Sequence, residues 1–339
     1  MKNNNNAIKI LDCTLRDGGY LNTWDFGEEN ISGVVELLYK TGIDYIECGF
    51  YNPNSSHTAD RTIFSCLRRI RELAAGMDES FFTLMLNYED AEYIELKDFK
   101  NFALRLAFKK HHLDGIKPLC EKLKNNSARI FLNPMHTSTY TQNELEKLLD
   151  IVNFISPECL TVVDTMGIMD ENDTENMFFC LDKFINPETA LGFHSHNNLN
   201  MSFMNIQKLI KLDLKREIII DSCISGIGRG AGILPTETIT KYLNDVFNKD
   251  YKTKHLRECA DKYLYSLKEE FINDDKYPYY LSALNKCHPF YAKCLKEKMN
   301  LSYEEMNLIL SNIPDENKTV YDDKVLNSLL VRESLLLHK

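Results

Sequence analysis

The chain has 339 residues, 44% of them hydrophobic and 27% charged, and a net charge of −10, the make-up of a globular protein of one large domain plus an appendage, or of two domains. The acidic balance and the lack of a basic stripe with interleaved aromatics exclude a nucleic-acid surface. Apolar runs such as Leu84-Met85-Leu86 are far too short to span a bilayer. No charged segment followed by an apolar stretch marks a signal peptide, and ten cysteines without a CxxC pair read as reduced thiols, so a cytoplasmic location is expected.

A polar asparagine run, residues 2–6, suggests a disordered tail over 1–7. The apolar run Ile8-Lys9-Ile10-Leu11 stops at Asp12 and opens into Thr14, Arg16, Asp17, Gly18 and Gly19, a buried strand running into a loop. Arg16 and Asp17 would point opposite ways on an extended chain. The glycines are expected to turn the backbone and bring both side chains toward one small ligand. Taken alone, the Arg-Asp pair reads equally as a strand-end salt bridge.

Asn30 is expected to cap a helix faced by Ile31, Val34, Val35 and Leu38 and ended by Gly42. A strand over 43–50, a helix over 62–75, a strand over 81–86 and a short helix over 91–100 follow. Next come a strand over 102–108, a helix over 113–123 and a strand over 128–132 that ends in Asn133-Pro134-Met135-His136. Thr141 and Glu144 form a capping box for the next helix. The strand over 159–163 ends in Asp164-Thr165-Met166-Gly167 and leads to a helix over 174–184. The strand opening at 190–193 runs into His194-Ser195-His196-Asn197-Asn198, ahead of a helix over 199–212. The strand over 216–221 precedes a glycine-rich loop, 226–232, and Pro235 opens the eighth helix.

Eight strand–helix units in about 250 residues have the rhythm of a (β/α)8 TIM barrel. A doubly wound open sheet would gather its polar residues at one switch point, whereas here polar clusters end six of the strands. Past Tyr251 the chain is charged and without convincing strands, with helical patterns over 256–271, 291–297 and 303–311. The expected division is a barrel over 8–250 and a helical C-terminal domain over 251–339.

His194 and His196 stand two apart, so on a strand both imidazoles face one side. In a closed barrel the eighth strand lies between the seventh and the first, which lets Asp17 face the two histidines across the mouth. Such a triad leaves three positions open on an octahedral Mn2+, Mg2+ or Fe2+. One HxH pair is ordinary on a surface. An HxH joined by TLRDG and GxGRGAG, each at its strand end, is not.

TLRDG, HSHNN and GIGRGAGILPTE together resemble the DRE-TIM metallolyase superfamily over residues 8–250. The similarity is nearest to the 4-hydroxy-2-oxovalerate aldolase branch, because GRGAG lacks the GER form of the acyl-CoA synthases and the tail is similar to the aldolase's C-terminal domain. The resemblance implies Asp17, His194 and His196 as metal ligands, with Mn2+ first and Mg2+ or another divalent ion as alternatives. It implies Arg16 as the group that stabilises an enolate, Glu47 as an acidic residue supporting the site and Thr165 as a hydroxyl near the scissile bond. Glu47 reads equally as a strand-end carboxylate on a backbone amide, and Thr165 as turn chemistry after Asp164. Asn198 and Arg229 match holders of a substrate carboxylate, or else residues that satisfy loop backbone. Tyr279, Tyr280 and His288 fall near where the aldolase supplies a tyrosine, although tail aromatics more often pack a helix onto a barrel.

Two positions depart from the family. Tyr20 stands where the aldolase carries its histidine base, and a tyrosine, with an ordinary pKa of about 10, is a poor base at neutral pH. Ile233 replaces an asparagine near the metal. The expected reaction is cleavage or formation of a 4-hydroxy-2-oxo acid, from pyruvate or a related 2-oxo acid and an aldehyde, through a metal-stabilised enolate. The tail would dock a dehydrogenase that consumes the aldehyde, or a second copy of the chain. The alternatives are a Claisen-type acyl-CoA lyase or synthase of the same superfamily and a non-catalytic binding barrel.

Overall fold

Eight parallel strands close on themselves: β1 (Ile8–Asp12), β2 (Tyr45–Tyr51), β3 (Phe82–Asn87), β4 (Ala103–Phe108), β5 (Arg129–Pro134), β6 (Cys159–Asp164), β7 (Ala190–Ser195) and β8 (Ile218–Ser222). The structure, a computed structural model, describes residues 8–337 apart from 57, 94–98, 100, 126–127 and 299–300; the expected tail over 1–7 lies outside the described residues. Closure is carried by β1, which pairs with β8 from Ile8↔Ile218 to Asp12↔Ser222 and with β2 at Leu11↔Tyr45 and Asp12↔Ile46. With no free barrel edge and helices over the outer face, the strands are buried on both sides. That is why they read as apolar runs rather than as an alternation. The (β/α)8 barrel with a helical C-terminal region is the architecture the sequence pattern implies.

The helices around the barrel are α1 (Glu28–Thr41), α2 (Arg68–Leu73), α3 (Leu113–Lys124), α4 (Gln142–Ile155), α5 (Glu171–Phe184), α6 (Ser202–Lys211) and α7 (Thr236–Phe247). The Thr141–Glu144 capping box forms at the start of α4, and Gly42 closes α1 in the left-handed region at φ 84°. Asn30 does not cap α1. The helix begins earlier, after Gly27 at φ 81°, and Asn30 donates its side-chain amide to the Phe26 carbonyl from inside the first turn.

The expected helix over 62–75 is shortened because its start pairs with β2 instead. Phe50 N–H donates to Thr62 O and Asn52 N–H to Phe64 O, each at 2.9 Å, so Ile63–Phe64 adds a two-residue strand and α2 begins only at Arg68. Of the expected helix over 91–100, the structure shows a 3-10 turn, Tyr88–Tyr93; residues 94–98 and 100 lie outside the described residues.

The C-terminal helices are α8 (Lys254–Lys262), α9 (Tyr265–Asn273), α10 (Tyr277–Leu284), α11 (Pro289–Lys298), α12 (Tyr303–Ser311), α13 (Asp315–Lys318) and α14 (Asp323–Leu337). The helix expected over 256–271 is broken between α8 and α9, where Leu264 leaves helical geometry at φ −122°. Leu256, Cys259, Leu264 and Phe271 join the barrel's own core, whereas Leu281, Tyr291, Leu295, Ile309, Leu310 and Leu326 form a second core. Tyr251 ties the start of this region to the barrel by donating its hydroxyl to Asp44 at 2.7 Å. All ten cysteines are unpaired. Among the described residues no helix is long and apolar enough to cross a membrane.

One glycine has a specific task. The pairing of β2 with β3 shifts register between Glu47 and Phe50, and Gly49 sits in that irregularity at φ +141°, where a Cβ would lie 2.0 Å from the Thr62 carbonyl oxygen. Gly49→Ala is expected to lose about 2–4 kcal/mol of stability, combining backbone strain with overpacking. Urea unfolding checks this, and an unchanged midpoint would show that the irregularity tolerates a side chain.

Candidate metal centre

The loop after β1 is built as a short helical turn, Thr14–Asp17, rather than as an extended segment bent by glycine. Gly18 has φ −61°, and neither Gly18 nor Gly19 takes a positive φ. The two glycines serve close approach instead. A Cβ on Gly18 would lie 2.5 Å from the Thr14 carbonyl oxygen, and one on Gly19 would lie 2.1 Å from the Trp24 ring. Trp24 locks the turn by donating its indole N–H to the Arg16 carbonyl at 2.7 Å. Ile224 N–H donates to Thr14 Oγ1 at 2.8 Å, binding the turn to the loop after β8.

Asp17, His194 and His196 converge as the strand order predicts, all buried, with their ligand atoms within 4.8 Å of one another. The two imidazoles stand 5.0 Å apart at 81°. Asp17 Oδ1 accepts from Arg16 Nη1 at 2.6 Å, while Asp17 Oδ2 is buried and has no hydrogen-bond partner. Gly228 leaves room beside that oxygen, since a Cβ there would come within 2.5 Å of it. His194 Nδ1 lies 2.9 Å from Asp221 Oδ2, which leaves its Nε2 for a ligand. A second buried group, Cys13, His194 and Asp221, also meets the geometric condition for holding an ion; it shares His194, and its carboxylate has Oδ2 bonded to Arg105 and His194 and Oδ1 buried without a partner.

Behind the triad runs an ionic chain. Glu47 Oε2 accepts from Arg16 Nε at 2.8 Å, Glu47 Oε1 lies 3.1 Å from Arg105 Nη1, and Arg105 Nη2 donates to Asp221 Oδ2 at 2.5 Å. Glu47, Arg105 and Asp221 are fully buried in the barrel lumen. Glu47 is therefore neither a metal-facing group nor a cap on a backbone amide; it bridges two arginines. With Asp17 added, three carboxylates stand against two guanidiniums and leave one negative charge, which a cation at His194 or at the triad offsets.

The same field sets the protonation states. Burial would raise Asp17, but Arg16, His196 and His194 hold it down to about 2. Burial opposes a charge on His194, but the Asp221 carboxylate overrides this and lifts it to about 9. Burial, reinforced by the Arg229 guanidinium, keeps His196 neutral, the form a ligand needs.

Arg16, Asp17, Tyr20, Thr165, His194, His196 and Arg229 all line one chamber of about 60 Å³ at the C-terminal ends of the strands, together with Asn87 and Asn133. Thr165 Oγ1 accepts from His136 N–H at 2.9 Å, and its carbonyl accepts from Arg229 Nη2 at 3.2 Å. Arg229 Nη2 also lies 3.3 Å from His196 Nε2. Tyr20 stacks edge-on against Trp24 at 5.0 Å and carries the Arg229 guanidinium over its ring at 5.5 Å.

Asn198 is not in the chamber wall. Its amide donates to the Met166 carbonyl at 2.9 Å and its Oδ1 accepts from Ala231 N–H at 2.9 Å, so it joins two loops. Tyr279 and His288 line a separate outer cavity, and Tyr280 lines neither space. Ile233 is buried beside His196, to whose backbone it bridges, and supplies no polar atom. Sequence reasoning left Arg105, Asp221, Asn87 and Asn133 without roles. A charge inside ALRLAF or at the end of an isoleucine run is the signal that marks the first two.

Arg105→Met is expected to lose about 3–5 kcal/mol of stability at pH 7, because it leaves buried carboxylates uncompensated. Burial works against the charge on Asp221 and Arg105 holds it ionised, below its ordinary range. Without Arg105, Asp221 would rise, so the variant's deficit should shrink as pH falls toward the carboxylate range, where the wild type loses this contribution. Chemical unfolding at several pH values checks this, and a deficit independent of pH would contradict it.

Residues 108–262 match the HMGL-like family model. A 4-hydroxy-2-oxovalerate aldolase from Geobacillus genomosp. 3 is 24% identical over 243 residues, 70% of this chain and 71% of that protein. An oxaloacetate decarboxylase from Mycobacterium tuberculosis is 23% identical over 243 residues, 69% of each chain. The crystal structure of the N-terminal domain of a Bacteroides vulgatus protein described as an aldolase superposes with a TM-score of 0.73 at 26% identity, covering 86% of this chain and 97% of that one. The HMGL-like match over residues 108–262, the closed barrel and these relatives make the chain similar to the DRE-TIM metallolyases and point to an enzyme of the lyase and aldolase class.

Proposed function

We propose that the chain cleaves or forms a 4-hydroxy-2-oxo acid, joining pyruvate or a related 2-oxo acid to an aldehyde, with a divalent metal, Mn2+ first, held by Asp17, His194 and His196. The observation that carries this reading is the convergence of a carboxylate and two imidazoles on the wall of a small chamber that Arg16 also lines. The residues fit a hard divalent ion: Asp17 Oδ2 is buried without a partner, His196 is held neutral, and His194, held by Asp221 through Nδ1, offers Nε2 once it gives up its proton to the bound metal. When bound, the metal supplies Lewis acidity toward the carboxylate and keto oxygens of the 2-oxo acid.

The chain's own residues do the rest. Arg16 is fixed through Nε and Nη1 by Glu47 and Asp17, which leaves Nη2 to face a substrate oxygen that gains negative charge as the enolate forms. Because both contacts preset the guanidinium, little reorganisation is needed at the moment of reaction. Thr165 and Arg229 join the β6 and β8 loops at the chamber wall. Tyr20 stands at the lip where the 4-hydroxyl would lie and carries the hydroxyl-side role in place of a histidine. Outside the chamber, the exposed Ile272, Tyr277 and Leu284 of the tail supply apolar surface for a second copy or a dehydrogenase.

Two measurements test this. Wild-type protein with Mn2+ should exchange the methyl protons of pyruvate with D2O, and Arg16→Ala should slow the exchange by ~10²–10³-fold, the usual effect of losing one preset oxyanion donor. No exchange on pyruvate or on longer 2-oxo acids would remove the aldolase reading and move the acyl-CoA enzyme or the binding barrel ahead. By calorimetry, Asp17→Asn and His196→Ala should abolish Mn2+ binding, and Asp221→Asn should weaken it roughly 10–100-fold through His194. Unchanged affinity in all three variants would sink the ligand assignment.

A further inference from the structure

The chamber at the metal triad encloses only about 60 Å³. Beside it lies a cavity of about 310 Å³ between the barrel mouth and α9–α11, and the two spaces share Tyr20 and Arg229 in their walls. That larger volume reaches the range of about 300–1,000 Å³ typical of pockets for ligands far bigger than a two-carbon aldehyde. With the 2-oxo acid end at the triad, atoms beyond the 4-hydroxyl would extend toward this space across the Tyr20–Arg229 wall that the two share.

The outer wall sets hydrogen-bonding groups among the apolar side chains of Leu21, Phe271 and Phe290. His288 Nδ1 accepts from Phe290 N–H at 3.2 Å, so the neutral ring carries its proton on Nε2 as a donor. Tyr279 adds a hydroxyl, Lys293 an ammonium and Glu297 a carboxylate, the last two only 3.8 Å apart. Charge decides between polar ligands. Arg229 and Lys293 face Glu270, Asp274 and Glu297, two cations against three carboxylates. Asp274 is further tied to Lys276 and Lys296, so the wall is close to balanced and offers no cluster of cations for a phosphate dianion.

We propose that this cavity receives the aldehyde-derived end of the substrate and that the aldehyde is neutral and polyhydroxylated, neither short and aliphatic nor phosphorylated. The inference rests on the aldolase reading above and names the substrate class of that site. In the condensing direction pyruvate C3 gives up a proton and forms the new bond to the aldehyde carbon, whose oxygen gains a proton; no oxidant or reductant is required.

The test is condensation of pyruvate by the Mn2+-loaded full chain with glyceraldehyde and erythrose, against propanal, butanal and glyceraldehyde 3-phosphate, with pyruvate proton exchange measured on the same preparation. The hydroxylated aldehydes should exceed their aliphatic counterparts in kcat/KM by at least about tenfold, the effect of roughly two neutral hydrogen bonds. Lys293→Ala and Glu297→Gln should each lower the erythrose-to-butanal ratio by at least about threefold. Exchange accompanied by a preference for the aliphatic or the phosphorylated aldehydes overturns this proposal and leaves the aldolase reading standing. Loss of both exchange and condensation overturns both.

Discussion

Two arginines hold the functional end of the barrel together. Arg105 crosses the lumen to meet Glu47 on β2 and Asp221 on β8, and Arg16 meets Glu47 from the other side while pairing with Asp17. Taking so many charges out of water is unfavourable unless each is matched within hydrogen-bond range. That requirement explains the order of the site. Glu47 cannot turn toward solvent without stranding both guanidiniums. Asp221 cannot release Arg105 without releasing His194. Asp17 is left with one engaged oxygen and one free one. The chemistry at the mouth inherits its geometry from an electrostatic constraint several residues deeper in the strands.

The loops convert this rigid base into a chamber through packing at short range. Gly18, Gly19 and Gly228 matter because something stands where their side chains would be, namely the Thr14 carbonyl, the Trp24 ring and the Asp17 carboxylate. Asn198 and Arg229 use side-chain bonds to backbone to fix neighbouring loops to each other. The C-terminal helices reach the same mouth. A Cβ on Gly232 would lie 2.7 Å from Phe271 of α9, and Tyr279 of α10 with His288 before α11 walls the outer cavity. The helical region thus contributes to the space a substrate would occupy as well as to stability.

Much of this was legible in the chain alone, for definite reasons. Strand order follows from eight repeats of one apolar-run-then-helix pattern, and a two-residue spacing on a strand puts His194 and His196 on one side whatever surrounds them. Asp17 could be placed opposite them because closure makes β8 the neighbour of both β1 and β7. What remained hidden depends on contacts across the lumen. Nothing local in ALRLAF says which carboxylates Arg105 will meet. Glu47 gave no sign of bridging two arginines, and of the two readings open for Asn198, substrate holder or loop-backbone partner, its bonds to Met166 and Ala231 match the second. The glycines after Asp17 were misjudged because a GG pair suggests a turn, whereas the fold uses their missing side chains. Asn30 and the start of the helix over 62–75 failed because a tertiary pairing and an earlier glycine cap prevailed over local propensity.

The central proposal is a divalent ion held by Asp17, His194 and His196 with a 2-oxo acid beside Arg16. A crystal of the full chain soaked with Mn2+ and pyruvate, with anomalous scattering used to locate the manganese, tests it most directly. One strong anomalous peak at Asp17 Oδ2, His194 Nε2 and a nitrogen of His196 is the expected result, with the pyruvate carboxylate and keto oxygens filling two of the three remaining positions. A peak at Cys13, His194 and Asp221 instead, or pyruvate bound with no metal at the triad, would contradict it.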